Sequence, residues 1–307
     1  MSVGGSSDGP APLSDRGRDG PATTDHDQSS CDPVWRCPGW TLEPPEYVTE
    51  LNIAAYYSSE PFLTDDCLTI YFQSDRPGGM GEFDLWKATR ASRSDPFGQI
   101  TNLASIDTPS LELHYALTVD GLQAFLATDR PGGNGKADIW MQSRARVTDP
   151  FGALAPLPVL NTAANEYDPQ PSRDALRLYY MSEATGAGDI MIARRSSMAA
   201  AFSPPEPITE LNTAYEDGNP TLSADELFII FASQRPGGAG STDLFYASRS
   251  TRSTPFGPVQ PVPVVNTPYL EGESFIACGD RELWFASDRP NAGGAWQIYR
   301  TRFTRAP

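Results

Sequence analysis

The chain is expected to fold as an all-β propeller of five blades, each a sheet of four antiparallel strands. Three observations lead there. A motif close to Ser-Asp-Arg-Pro-Gly-Gly begins at Ser74, Thr128, Ser182, Ser233 and Ser287, at intervals of 54, 54, 51 and 54 residues. A period of that length means one supersecondary unit per repeat. Each repeat also carries short runs of aromatic and β-branched residues separated by turn residues, with no helical periodicity. Four such runs in about fifty residues make one propeller blade.

The elements follow in order within each repeat. A first run, such as Pro61-Phe62-Leu63-Thr64 or Pro220-Thr221-Leu222-Ser223, leads into a turn at Asp65-Asp66, Asp120-Gly121, Arg173-Asp174, Ala224-Asp225 or Gly279-Asp280. The second run is the most apolar, as in Leu68-Thr69-Ile70-Tyr71-Phe72 and Leu227-Phe228-Ile229-Ile230-Phe231. The Pro-Gly-Gly turn comes next, then a third run opened by Asp84-Leu85-Trp86, Asp138-Ile139-Trp140, Asp189-Ile190-Met191, Asp243-Leu244-Phe245 or Gln297-Ile298-Tyr299. A fourth run, punctuated by proline as edge strands are, follows Phe97, Phe151, Phe202 and Phe256. Ten residues past each of these Phe stands Asp107, Asn161, Asn212 or Asn266, and Asn52 opens that series. Thr49-Glu50-Leu51-Asn52 matches Thr209-Glu210-Leu211-Asn212, so the stretch before residue 52 reads as a fourth strand. The last repeat runs out after its third strand. Pairing the two closes the ring and removes both open sheet edges.

These residues resemble the TolB-type, WD-repeat-like β-propeller repeat family. Its pattern is a Pro-x-Leu-Ser-x-Asp-Gly stretch, a Leu-Tyr-Phe strand, Ser-Asp-Arg-x-Gly, and a strand carrying Asp-Ile-Trp or Asp-Ile-Tyr. Repeats one and four match most closely, the third replaces Asp-Arg-Pro by Glu183-Ala184-Thr185, and the fifth has Gln297 for the Asp. The resemblance spans about residues 41–303 and implies the propeller fold. Members often have six blades, so five is a departure. It also implies a binding platform, a part of an envelope assembly, or a scaffold for an enzyme.

Residues 1–38 are rich in Gly, Ser, Asp and Pro and almost free of apolar groups before Val34 and Trp35. They are expected to form a flexible leader, resembling the spacer behind a lipoprotein or secretion signal, with the propeller at 39–307. An extracytoplasmic location, in periplasm or at the cell surface, follows from that reading. Cys31 and Cys37 would pair in an oxidising compartment and stay free thiols otherwise. Cys67 lies in the first repeat and Cys278 in the last, with no metal-type Cys spacing anywhere. The net charge of −16 excludes nucleic acid and anionic membrane as partners. No apolar run is long enough to span a bilayer, and a monomer is expected.

The repeated motif is turn chemistry, because five copies around a ring cannot all be one active site. Counting back from it is more informative. Fourteen residues upstream stand Glu60, His114, Asp168, Asn219 and Glu273; sixteen upstream stand Ser58, Glu112, Glu166, Asp217 and Glu271. Residues two apart on a strand share a face. The two sets are therefore expected as stacked, mainly acidic rings at one mouth of the central channel, and they are the candidate ligand-binding residues. Three readings compete. The carboxylates cap backbone groups in a wet structural mouth. Or they bind a divalent cation such as calcium (through Glu60, Asp168 and Glu273), or a cationic or sugar-like ligand. Or Glu60, Asp168 and Glu273 serve a glycoside hydrolase as acid and nucleophile or base. His114 is the one basic side chain in the two sets. The balance favours a non-catalytic binding or scaffolding module for a protein or carbohydrate ligand, such as a cell-envelope component, with no obligatory cofactor and no assigned catalytic residue.

Overall fold

The computed structural model describes residues 34–290 and 294–305. Five sheets follow one another around an axis. Blade one is β3 (Ser58–Leu63), β4 (Thr69–Ser74), β5 (Asp84–Thr89) and β6 (Gly98–Asn102). Blade two is β7 (Glu112–Leu117), β8 (Gln123–Thr128), β9 (Asp138–Ser143) and β10 (Ala155–Pro156). Blade three is β11 (Glu166–Pro171), β12 (Arg177–Ser182), β13 (Asp189–Arg194) and β14 (Glu206–Pro207). Blade four is β15 (Asp217–Leu222), β16 (Phe228–Ser233), β17 (Asp243–Ser248) and β18 (Gln260–Pro261).

Blade five combines both ends of the described chain. Its β19 (Glu271–Ala277), β20 (Glu282–Ser287) and β21 (Gln297–Arg305) are completed by β2 (Glu46–Tyr47), which pairs Tyr47 with Tyr299. The ring thus closes through an N-terminal strand, as the sequence predicts. A further strand, β1 (Trp40–Leu42), pairs with the far end of β21. Packing begins earlier still: Val34–Arg36 form a 3-10 turn that stacks Trp35 on Phe228 at 5.0 Å. The expected leader otherwise lies outside the described residues, and so does Cys31 of the Cys31–Cys37 pairing. No described helix is long and apolar enough to cross a membrane.

Each blade packs on the next through its second and third strands. Phe72, Leu126, Tyr180, Phe231 and Phe285 are fully buried at matching positions, and each contributes roughly 2–3 kcal/mol by leaving water. The repeated motif joins blades as well as turning strands. The Arg130 guanidinium donates to the Ile106 carbonyl at 2.8 Å and to Glu112 Oε1 at 2.9 Å. Arg289 makes the same pair of contacts with Val265 and Glu271. The motif's aspartates cap the loop that enters their own blade: Asp75, Asp129 and Asp288 accept the backbone N–H groups of Tyr57, Leu111 and Leu270 at 2.7–2.8 Å. Asp84 holds the Pro-Gly-Gly turn by accepting from Met80 and Gly81. A Cβ on Gly79 would lie 1.8 Å from Asp84 Oδ2, so only glycine fits there.

One covalent link was not foreseen. Cys67, in the turn after β3, is bonded to Cys278, in the turn after β19, across 211 residues of chain. It staples blade one to blade five, the seam where the ring closes.

Candidate functional site at the channel centre

The first strand of every blade is bulged. Its register with the second strand shifts between Ser59 and Phe62, Leu113 and Ala116, Tyr167 and Gln170, Gly218 and Thr221, and Gly272 and Phe275. One residue in each bulge has a left-handed backbone: Glu60, His114, Asp168, Asn219 and Glu273, with φ between 45° and 58°. Such a conformation is unfavourable by about 1 kcal/mol for a residue with a Cβ, and all five blades bear it. A bulge redirects its side chain, and here it corrects the expectation of two rings on one face.

The outer set turns away from the channel into the seams between blades. Ser58, Glu112, Glu166, Asp217 and Glu271 are all fully buried. Glu166 accepts the Thr162 N–H at 2.8 Å, the Thr162 hydroxyl at 2.7 Å and the Ser182 hydroxyl at 2.8 Å. Glu271 accepts from Thr267 twice, from Ser287 and from Arg289. Asp217 accepts from Thr213, Ser233 and Arg235, and Glu112 from Thr108 and Arg130. With their lone pairs engaged, these acids tie each entering loop to its blade. The sequence carried a signal for this. Each acid stands four residues after the threonine of Asp107-Thr108, Asn161-Thr162, Asn212-Thr213 or Asn266-Thr267.

The bulge residues converge instead. Glu60, His114 and Asp168 are each at least nine-tenths buried, and Asn219 and Glu273 partly so. Neighbouring members are linked through backbone. Glu273 Oε2 accepts the Glu60 N–H at 3.1 Å, and Asp168 Oδ2 accepts the Asn219 N–H at 3.1 Å. Three atoms are left over. Glu60 Oε2 and both ring nitrogens of His114 have no hydrogen-bond partner. One ligand atom from each of Glu60, His114 and Asp168 lies within 4.8 Å of the others. His114 thus stands where Glu273 was expected beside Glu60 and Asp168.

Burial governs the charges. It pushes the Glu60 carboxyl well above the usual range, helped by Glu273 and Asp168. It raises Glu273 to about 8 and Asp168 to about 7, and lowers His114 to about 4. His114 Nδ1 lies 3.7 Å from Asp168 Oδ1, within reach of an ion pair. The neutral imidazole at pH 7 makes it a close polar approach instead. A neutral imidazole is also the form that ligates metals.

A second group of ligand atoms, from Asp84, Asp107 and Glu112, meets between blades one and two. There Asp107 replaces the asparagine of the other repeats. Asn161 and Asn212 each hold the third strand of the preceding blade by a pair of bonds to one residue's N–H and C=O. A carboxylate cannot make the second of these. Burial and the adjoining Asp84 raise Asp107 to about 6.

No protein-family model matches the chain, and no curated protein sequence is similar to it. Solved structures are similar in fold. A thermostable family-43 glycoside hydrolase superposes with a TM-score of 0.57 at 11% identity, covering 85% of this chain and 92% of that one. Zg3597, a family 117 glycoside hydrolase from Zobellia galactanivorans, gives 0.55 at 13%, covering 86% and 90%. TolB from Acinetobacter baumannii gives 0.52 at 11%, covering 87% of this chain and 64% of that one. At such identities the likeness speaks for the fold, which hydrolases and TolB share.

Proposed function

We propose that this protein is a non-catalytic binding platform that holds a divalent cation at the channel centre between Glu60, His114 and Asp168. The observation that carries the reading is the trio of unpartnered buried atoms, Glu60 Oε2 and the two His114 ring nitrogens, beside Asp168. Buried polar atoms without partners are rare in folded proteins, and a cation would satisfy Glu60 Oε2 and one ring nitrogen at once. The carboxylates alone would suit calcium. The imidazole moves the preference toward zinc or manganese. The bound ion would in turn present open positions to a protein or carbohydrate ligand at the mouth. The Cys67–Cys278 disulfide supports an extracytoplasmic, oxidising location.

Titration calorimetry of the metal-free protein with Zn²⁺, Mn²⁺ and Ca²⁺ tests this. The expectation is one site per chain, abolished in His114→Asn and Glu60→Gln while melting without metal changes little. Absence of binding by all three ions, or binding unaltered in both variants, refutes it. The second reading, a glycoside hydrolase, draws on the carboxyls of Asp168 and Glu273, which burial keeps partly protonated near neutrality as a general acid requires. Turnover of arabinan, fructan or aryl glycosides, lost in Glu60→Gln with Glu273→Gln, would establish that reading instead.

A further inference from the structure

A cavity of about 490 Å³ opens at the opposite face of the ring, among the turns that join first and second strands. Its inner end is formed by Phe62, Gln170 and Phe275, each two residues beyond a bulge residue on the same strand. Phe62 and Phe275 lie 4.8 Å apart between ring centroids, and Tyr71 extends the aromatic wall from Phe62 at 6.4 Å. Volume and lining are those of a small-molecule site.

The wall carries a polar group that folding leaves unsatisfied. Gln170 is nine-tenths buried, and its Oε1 has no hydrogen-bond partner. Its Nε2 makes only a long 3.4 Å contact to the Pro171 carbonyl, which leaves the amide free to turn toward a stronger partner. What is missing is a donor.

The charge around the cavity is predominantly negative. Asp65, Asp66, Asp120 and Asp280 contribute to the lining against two guanidinium groups, and Glu226, also in the lining, is paired with Arg177. Both lining guanidinium groups are engaged. Arg173 pairs with Asp65 at 2.5 and 3.1 Å, and Arg144 donates to the Gly121 and Asp149 carbonyls. An anion would meet a carboxylate surplus, whereas a cation would be drawn in and held over aromatic faces.

We infer that this cavity binds a small organic ammonium compound with an aromatic or apolar body, its body against Phe62, Tyr71 and Phe275 and an N–H donated to Gln170 Oε1. The site is separate from the Glu60 cluster: none of Glu60, His114, Asp168 and Glu273 lines the cavity.

Ligand-observed NMR titration of the full chain with phenethylammonium tests this, with two comparison probes. Neutral 2-phenylethanol has the same body without the charge, and benzyltrimethylammonium keeps the charge without an N–H. Phenethylammonium is expected to bind at least about tenfold more tightly than the alcohol, a difference of about 1.4 kcal/mol, and to exceed the quaternary ion. Gln170→Leu and, separately, Asp66→Asn with Asp280→Asn should each weaken it at least about fivefold, within the range of a single cation–π or charged hydrogen-bond contact. His114→Asn should leave it unchanged. The Asp66→Asn, Asp280→Asn pair serves if Gln170→Leu fails to fold. Equal affinity for alcohol and ammonium, no binding of phenethylammonium, tighter binding of the quaternary ion, or loss of binding in His114→Asn overturns the assignment.

Discussion

Removing the Cys67–Cys278 disulfide should destabilise the ring by several kilocalories per mole. The bond joins the first and last blades, closing 211 residues of chain. In the chain-entropy account a loop of that length removes about 18 cal/mol/K from the denatured ensemble, or about 5 kcal/mol at 25 °C. Real cross-links deliver less, typically 2–4 kcal/mol, so Cys67→Ser with Cys278→Ser is expected to lower unfolding free energy by about 3–4 kcal/mol. The native ring should persist, because β2 and β1 still pair with β21 at the same seam. Guanidinium chloride unfolding provides two independent readouts. The midpoint falls, and the slope of free energy against denaturant rises, because the uncross-linked denatured chain exposes more surface. Wild-type protein unfolded with a strong reductant should match the variant. A loss below about 1 kcal/mol with an unchanged slope would refute the reasoning, since the bond would then not constrain the denatured chain.

Three other outcomes are expected. Asp107→Asn restores the asparagine of the other repeats and should stabilise by about 1 kcal/mol through the regained hydrogen bond. The gain should be larger at pH 8 than at pH 5, because Asp107 ionises near pH 6 beside Asp84, as melting at the two pH values would show. Glu273 holds a proton in the folded state up to about pH 8 but releases it near 4.5 when unfolded. The folded state therefore binds more protons between those values, and stability from this group falls as pH rises through that window. Glu273→Gln should flatten the dependence of melting temperature on pH from 5 to 9, and an unchanged slope would count against it. Glu226 is buried against Arg177 at 2.5 and 2.7 Å and the Tyr179 hydroxyl at 2.8 Å. Glu226→Gln should lose about 2–3 kcal/mol, since it breaks the buried two-point pair and leaves Asp174 as the carboxylate partner of Arg177; thermal unfolding measures it.

The fold was legible because the period counts itself. Five motif copies in register set the blade number, and Thr49-Glu50-Leu51-Asn52 set the closing strand. The site was half legible. Counting back from the motif located Glu60, His114, Asp168, Asn219 and Glu273, but an alternating strand pattern contains nothing that announces a bulge. The sequence pattern therefore places Glu112, Glu166, Asp217 and Glu271 in the channel, although the threonines four residues upstream already offer them partners. The Cys67–Cys278 bond was also within reach. In a closed ring the first and last repeats are neighbours, so cysteines in corresponding turns can meet.

The left-handed bulge gives the propeller five equivalent pedestals around one axis. Each has the same backbone whatever side chain it carries: two glutamates, an aspartate, an asparagine and a histidine stand on it here. Exchange at a pedestal thus changes the chemistry presented at the centre without asking the scaffold for a new conformation. Asn219→Asp, for example, would add a fourth acid on a backbone that Asp168 already adopts. A chain built this way can change the groups at its centre by single substitutions, and proteins of like architecture can part in chemistry while remaining superposable.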